Sequence, residues 1–218
     1  MKLRLQIARA PGDILRCQHL IADVYNKQYG VVFSEDIYDL EAKIEPWPHR
    51  YFMILIEGDL VAACGLYMRN TYVERYGLVT DEEVAAMLRE AGVDGRYDPS
   101  NRREVTKLVV ARPFRNLRIT PVLMGCSLAR EFADMEADRP PLVTCCVVRT
   151  MRRLIERHGI RTRHLKPFPL YKVHEKYRSE SNPMDSYVVI PDLDVPALFR
   201  DLVIPGEYDL DGFLGGGA

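Results

Sequence analysis

Between Glu104 and Arg130 the chain changes character twice. Val105, Leu108, Val109 and Val110 form an apolar, largely β-branched segment that reads as a strand, and it meets an arginine-rich turn at Arg112, Arg115 and Arg118. A helical pattern begins near Thr120, with Pro121 at the first helical position, where a missing N–H costs nothing. A strand that runs straight into a helix N-terminus gathers backbone N–H groups and positive charge at one point. Such a point suits a phosphorylated carrier. Without that function, the same pattern is an ordinary strand-turn-helix of an α/β protein.

The rest of the chain limits the choices. Its 218 residues suffice for one substantial core, and 47% hydrophobic with 28% charged residues is the composition of a globular protein. No apolar run approaches the roughly 20 residues of a membrane span. The alternation of charged and apolar residues from Met1 to Arg9 reads as a strand and not as a signal peptide. Five cysteines without CxxC spacing, two of them adjacent at Cys145 and Cys146, suggest neither a metal site nor a disulfide framework. A reducing cytoplasm fits this usage. The expected organisation is a single domain over residues 1–210 and a flexible glycine-rich tail over 211–218.

Periodicity and turn signals predict strands over 3–10, 50–57, 60–69, 103–111, 142–147, 161–165 and 186–190. They predict helices over 13–29, 81–91, 120–135 and 150–158, with a short one over 196–202. The first helix would turn Leu15, His19, Ile21 and Tyr25 toward the core. Gly58-Asp59 marks a hairpin, Thr80 caps a helix that Gly92 closes, 31–48 reads as irregular and 95–101 as turn-rich. The mixed order of strands and helices suits an α/β (α+β) layer sandwich.

The run from Val110 through Pro113, Phe114 and Arg115 resembles the central motif of the GCN5-related N-acyltransferase superfamily. That resemblance implies a three-layer sandwich with a mixed, mostly antiparallel sheet. It also implies a sheet splayed open between the strands at 103–111 and 142–147, where a thioester arm enters. The cofactor loop departs from the superfamily pattern, since Arg118 and Thr120 stand where small residues usually let bare backbone approach a pyrophosphate. A narrower likeness, to acyl-homoserine-lactone synthases and long-chain N-acyl amino acid synthases, rests on three fragments. These are Glu104 with Lys107 on the central strand, Val24-Tyr25 followed by Asp36 and Asp39, and Arg69 after the second hairpin strand. The arginine of that branch is Ile21 here, and its following tryptophan is missing, which points to an amine acceptor other than S-adenosylmethionine.

Amide formation from a thioester needs a deprotonated amine, a placed carbonyl and donors for the oxyanion. Glu104 is the candidate for proton handling. Lys107 is the candidate for polarity or acceptor placement, although simple alternation does not put it on the face of Glu104 unless a bulge intervenes. The resemblance assigns the thioester contact to the backbone near Val109 or Val110. Asp36 and Asp39 suit a cationic acceptor amine, and Arg69 an acceptor carboxylate. Arg115, Arg118 and Thr120 would meet the carrier phosphate, with side-chain charge replacing glycine contacts. Each of these residues, taken singly, also reads as an ordinary surface charge. Cys145 and Cys146 read as small buried residues, His158 as a helix-end residue, and Phe168 and Tyr171 as packing or as lining of an acyl tunnel.

Charge is unevenly spread. Residues 149–178 hold ten basic side chains against Glu156 and Glu175, a balance of +8, so the remainder carries −9 within a total of −1. A basic face formed by Arg149, Arg152, Arg153 and Arg157 fits docking of an acidic acyl carrier protein. The leading expectation is an N-acyltransferase that moves a long-chain acyl group from carrier-bound phosphopantetheine to a small amine such as an amino acid. It would hold no tightly bound cofactor and no metal. Two readings stay open beside it: an acetyl- or acyl-coenzyme A-dependent enzyme, and a catalytically degenerate acyltransferase fold that binds its ligand. Nucleic-acid binding ranks last, for want of a recognition module.

Overall fold

The computed structural model describes residues 1–35, 42, 44–75, 80–92, 95, 98–115, 119, 141–157, 162–167, 184–189 and 204–209. The helices expected over 120–135 and 196–202 lie outside these residues, as do Asp36, Asp39, Arg118, Thr120, His158, Phe168 and Tyr171. The described chain falls into two compact units. Unit 1 is Met1–Leu66, Thr106–Ser127 and Asp201–Ala218; unit 2 is Tyr67–Val105 and Leu128–Arg200.

Unit 1 opens with β1 (Lys2–Ile7), α1 (Pro11–Tyr29), β2 (Val32–Ser34), β3 (Ile44–Pro46), β4 (Arg50–Ile56) and β5 (Asp59–Tyr67). Leu3 and Leu5 are buried while Lys2 and Arg4 are exposed, the period-2 pattern of a strand with one covered face. β1 lies antiparallel to β4, and β4 antiparallel to β5. The tight turn between the last two is centred on Glu57 and Gly58, one residue earlier than the sequence suggests. Both have positive φ (50° and 88°), the mirror-image conformation that matches strand twist in a two-residue hairpin. The segment 31–48, expected to be irregular, contains β2 and β3 as a short parallel pair.

α1 begins with Pro11 at its first turn and ends at Gly30, which takes the left-handed conformation (φ 63°) and donates its N–H to the Asn26 carbonyl. Its buried face differs from expectation. Leu15 is 52% exposed and His19 is also exposed, whereas Ile21 is fully buried as expected and Cys17 is fully buried beside it. They pack with Tyr51, Met53, Leu55, Ala63 and Val109, and Ile14, Leu20 and Val24 cover the flank. The stripe is therefore set by residues 14, 17, 21 and 24, spaced three or four apart.

A last strand escaped the sequence reading. β10 (Gly206–Asp209) lies antiparallel to β1, and its Glu207 carboxylate faces Lys2 at 3.7 Å and Arg4 at 3.1 Å. The hydrogen bond from Arg4 is the main reason that the Glu207 carboxyl titrates below its ordinary range.

Unit 2 contains α2 (Tyr72–Arg75), α3 (Asp81–Glu90), β7 (Pro141–Val148), α4 (Arg149–Arg157), β8 (Thr162–Pro167) and β9 (Met184–Val189). α3 starts in a complete capping box: Glu83 N–H donates to the Thr80 hydroxyl, and Thr80 N–H donates to the Glu83 carboxylate. β9 pairs antiparallel with both β7 and β8. β5 gives only its last residue, Tyr67, to unit 2, whereas β6 (Asp98–Val110) is divided between the units, with residues up to Val105 in unit 2 and residues from Thr106 in unit 1. β6 starts inside the stretch expected to be turn-rich. Its first half runs parallel to β7, from Asp98 opposite Pro141 to Glu104 opposite Thr144. The sheet is thus mixed and mostly antiparallel, with helices packed on it, as expected for the α/β class.

Two outcomes follow from this packing. Ile21→Ala removes most of a fully buried side chain and should cost about 2–5 kcal/mol in urea unfolding. The Cys17 thiol is pushed from 9.0 up to about 12, first by burial and then by neighbouring Cys64. Its contribution to stability is complete below pH 9 and is lost as pH rises from 9 toward 12, because the unfolded chain gives up that proton first. Denaturant midpoints across that range should fall, and Cys17→Ala should make the fall shallower.

Candidate active site

The chemistry-bearing residues concentrate on β6. Arg102 and Glu104 are buried in its first half, then Val105, Lys107 and Val109 in its second, so the burial pattern slips by one residue after Glu104. Lys107 takes a left-handed backbone (φ 52°) in mid-strand. For a residue with a Cβ this costs on the order of 1–3 kcal/mol and persists only where the surroundings demand it. The slip that puts Lys107 on a buried face together with Glu104 falls between Glu104 and Val105, and the left-handed residue follows it at Lys107.

In unit 1 the surroundings of Lys107 are specific. Its side chain is 4% exposed, and its ammonium forms an ion pair with the Glu45 carboxylate of β3, itself 18% exposed. The same nitrogen lies 4.8 Å from the centroid of the Tyr25 ring and 5.5 Å from that of Phe33. Both distances fall within the range of cation–π attraction. Tyr25 meets Phe33 edge-to-face at 6.1 Å, and Phe33 stacks on Trp47 at 4.2 Å. Burial, and next the Glu45 charge, push the Tyr25 phenol far above its ordinary range, so it stays protonated and neutral. The result is an aromatic box closed by one buried ion pair.

α1 supplies Tyr25, β2 supplies Phe33, and β3 with the residue after it supplies Glu45 and Trp47. Sequence reasoning named Lys107 and Tyr25 but missed Glu45, Phe33 and Trp47. The available signal was the close spacing of a carboxylate and two aromatic residues within a stretch otherwise read as irregular. Ile21, which stands at the arginine position of the resembling branch, is core and not site.

In unit 2, Glu104 is fully buried and stands opposite Thr144. The Thr144 hydroxyl donates to the Arg103 carbonyl at 3.1 Å. The thiol of Cys145, next along β7, is pushed above its ordinary range by burial and then by the Glu104 charge. A thiol held protonated is no nucleophile. Arg102, also unforeseen, forms an ion pair with Asp81 and so ties the start of α3 to β6.

The other candidates are dispersed. Val109 belongs to the unit 1 core, and the Val110 carbonyl accepts a hydrogen bond from Arg115 Nε at 3.2 Å. Arg115 is exposed just after a 3-10 turn at Arg112–Phe114. Arg69 is exposed beyond the end of β5. The arginines of α4 divide in two. Arg149, Arg153 and Arg157, spaced four apart, are exposed on one face of the helix. Arg152 instead faces the unit 2 sheet, 3.4 Å from Glu156 and 5.4 Å from the centroid of the Tyr187 ring. Among the described residues no helix is long and apolar enough to cross a membrane.

No family model matches the chain, and no curated protein does. Solved structures do. A CoA-dependent acyl-homoserine lactone synthase, BjaI, seen with SAM and isopentyl-CoA, superimposes with a TM-score of 0.57 at 15% identity, covering 91% of this chain and 86% of that one. FeeM, an N-acyl amino acid synthase from uncultured soil microbes, gives 0.53 at 13% identity, covering 87% and 91%. The AHL synthase LasI gives 0.52 at 10% identity, covering 100% and 96%. The fold is therefore the one seen in these acyl-homoserine lactone synthases and in FeeM.

Breaking a buried ion pair from one side strands a charge, which costs about 3–5 kcal/mol. Glu45→Gln and Lys107→Met should each destabilise by that order. The double variant should recover much of the loss, giving a large coupling energy in a denaturant double-mutant cycle.

Proposed function

We propose that this protein is an N-acyltransferase that moves a long-chain acyl group from an acyl carrier protein thioester to the amine of a small molecule such as an amino acid. The observation that carries this reading is β6 itself. Burying two charged side chains three residues apart, with a left-handed residue in mid-strand, is costly for a strand that only builds a sheet. It is understandable in a strand that handles protons and positions a polar substrate. BjaI and FeeM, with the same architecture, are an acyl-homoserine lactone synthase and an N-acyl amino acid synthase, which supports acyl transfer to an amine.

In this reading Glu104 takes the proton of the incoming amine, directly or through a water, and the neutral amine attacks the thioester carbonyl. A backbone N–H near Val109 or Val110 stabilises the oxyanion, and collapse expels the carrier thiol, which takes up a proton. Lys107, held by Glu45, places the polar end of the acceptor at the aromatic box. Asp36, Asp39 and Arg69 complete acceptor binding. Arg115, Arg118 and Thr120 contact the phosphopantetheine phosphate, while Arg149, Arg153 and Arg157 dock the acidic carrier. Arg152, engaged with Glu156, serves that face by holding α4 in place. The protein acts in the cytoplasm.

The test is direct. Purified protein is incubated with a panel of amino acids and either acyl-carrier protein or the matched acyl-coenzyme A, and amide products are read by mass spectrometry. The expected result is amide formation with preference for the carrier-bound donor. Glu104→Gln should lower kcat by about 10²–10⁴-fold. Charge reversal at Arg149, Arg153 and Arg157 should raise the KM for the carrier with little change in kcat. Preference for coenzyme A donors would replace the carrier reading with the one that BjaI exemplifies. Binding without turnover of any thioester would select a degenerate fold.

A further inference from the structure

Gly65 lies within β5, opposite Tyr51 of β4, and its backbone is not in the left-handed region. No turn explains a glycine there. Space does. A Cβ at this position would fall 2.3 Å from Cγ and 2.5 Å from Cβ of Pro48, closer than carbon atoms approach, while Thr106 at 3.6 Å would be in ordinary contact. Pro48 is buried, and its closed ring has no rotamer that clears the space.

The backbone around Pro48 is tied on both sides. Trp47 N–H donates to the Ser34 carbonyl of β2 at 3.3 Å, and His49 N–H donates to the Leu66 carbonyl of β5 at 3.0 Å. The segment so fixed carries the working parts of the Lys107 box. Glu45 holds the Lys107 ammonium, and the Trp47 ring stacks on Phe33, which in turn faces that ammonium.

We infer that Gly65 is a positioning residue for this box: its missing side chain is the seat for Pro48, and Pro48 sets the counter-charge and the aromatic wall around Lys107. Gly65 touches no substrate and acts only through Pro48. The structural part of this assignment stands by itself. Its kinetic consequence rests on the acyl-transfer reading above.

Trp47 is the chain's only tryptophan, so its fluorescence reports on this segment alone. In Gly65→Ala, the new methyl group must displace Pro48. The Trp47 emission should move to longer wavelength and its quenching by iodide should increase, while far-ultraviolet circular dichroism stays native. Adding Pro48→Gly removes both ring atoms in the clash and should recover most of the stability that Gly65→Ala loses in urea unfolding, while Trp47 emission stays shifted because the seated ring is gone. Should Gly65→Ala fail to fold, recovery of a folded protein in the double variant is the expected rescue. Unchanged Trp47 emission in a folded Gly65→Ala protein would overturn the assignment, and so would a stability defect that Pro48→Gly does not relieve. In turnover assays, Gly65→Ala should raise the KM for the amine acceptor and leave the KM for the thioester donor unchanged. Fluorescence as expected with no amide formed by the parent protein would overturn the proposed function and leave the role of Gly65 standing.

Discussion

The ion pair between Lys107 and Glu45 governs the organisation of unit 1. Taking an ammonium and a carboxylate out of water costs several kcal/mol per ion, and mutual attraction repays this only where the geometry is held tightly. Much of the local structure reads as the means of holding it. Tyr25 and Phe33 turn their π-faces toward the ammonium, and Trp47 backs Phe33. The short parallel ladder of β2 and β3 fixes Glu45, and the left-handed backbone of Lys107 delivers the cation. An aliphatic pair would fill the same volume at lower cost, so the charges point to chemistry rather than stability.

β6 is the other organising element, because each unit holds a substantial part of it. Its first half is paired with β7 and carries Glu104; its second half carries Lys107 and contributes Val109 to the core beneath α1. The shift in burial after Glu104 marks where the environment of the strand changes. A single strand thus places an acid and a base in sequence order, each buried by different neighbours.

Charge outside the strand follows ordinary electrostatics. On α4 the spacing of four residues separates the exposed Arg149, Arg153 and Arg157 from Arg152, which is held against Glu156 and Tyr187. The first three are exposed to solvent. At the edge of unit 1, Glu207 between Lys2 and Arg4 joins β10 to β1 through largely exposed pairs, which add register more than stability.

Most of the longer strands, the α1 and α3 helices and the α/β class were legible in the sequence, because period-2 and period-3.6 burial and the capping signals at Thr80 and Gly92 are local effects. Glu104 and Lys107 were picked out through the resemblance of the central strand, while their burial was not legible, since each taken singly also reads as an ordinary surface charge. Local pattern failed where distant residues decide the outcome. Leu15 and His19 fit an apolar stripe beside Ile21 as well as Cys17 does, and only contact with β4 and β5 selects Cys17. β2, β3 and β10 are too short to show a period and exist through their partners. The same is true of Glu45, Trp47 and Gly65. A carboxylate, an aromatic ring and a missing side chain acquire meaning only when folding brings β3 and β5 to the middle of β6. The sequence by itself determined which strand carries the charges; tertiary packing decided what surrounds them, because burial and ion pairing depend on residues far apart in the chain.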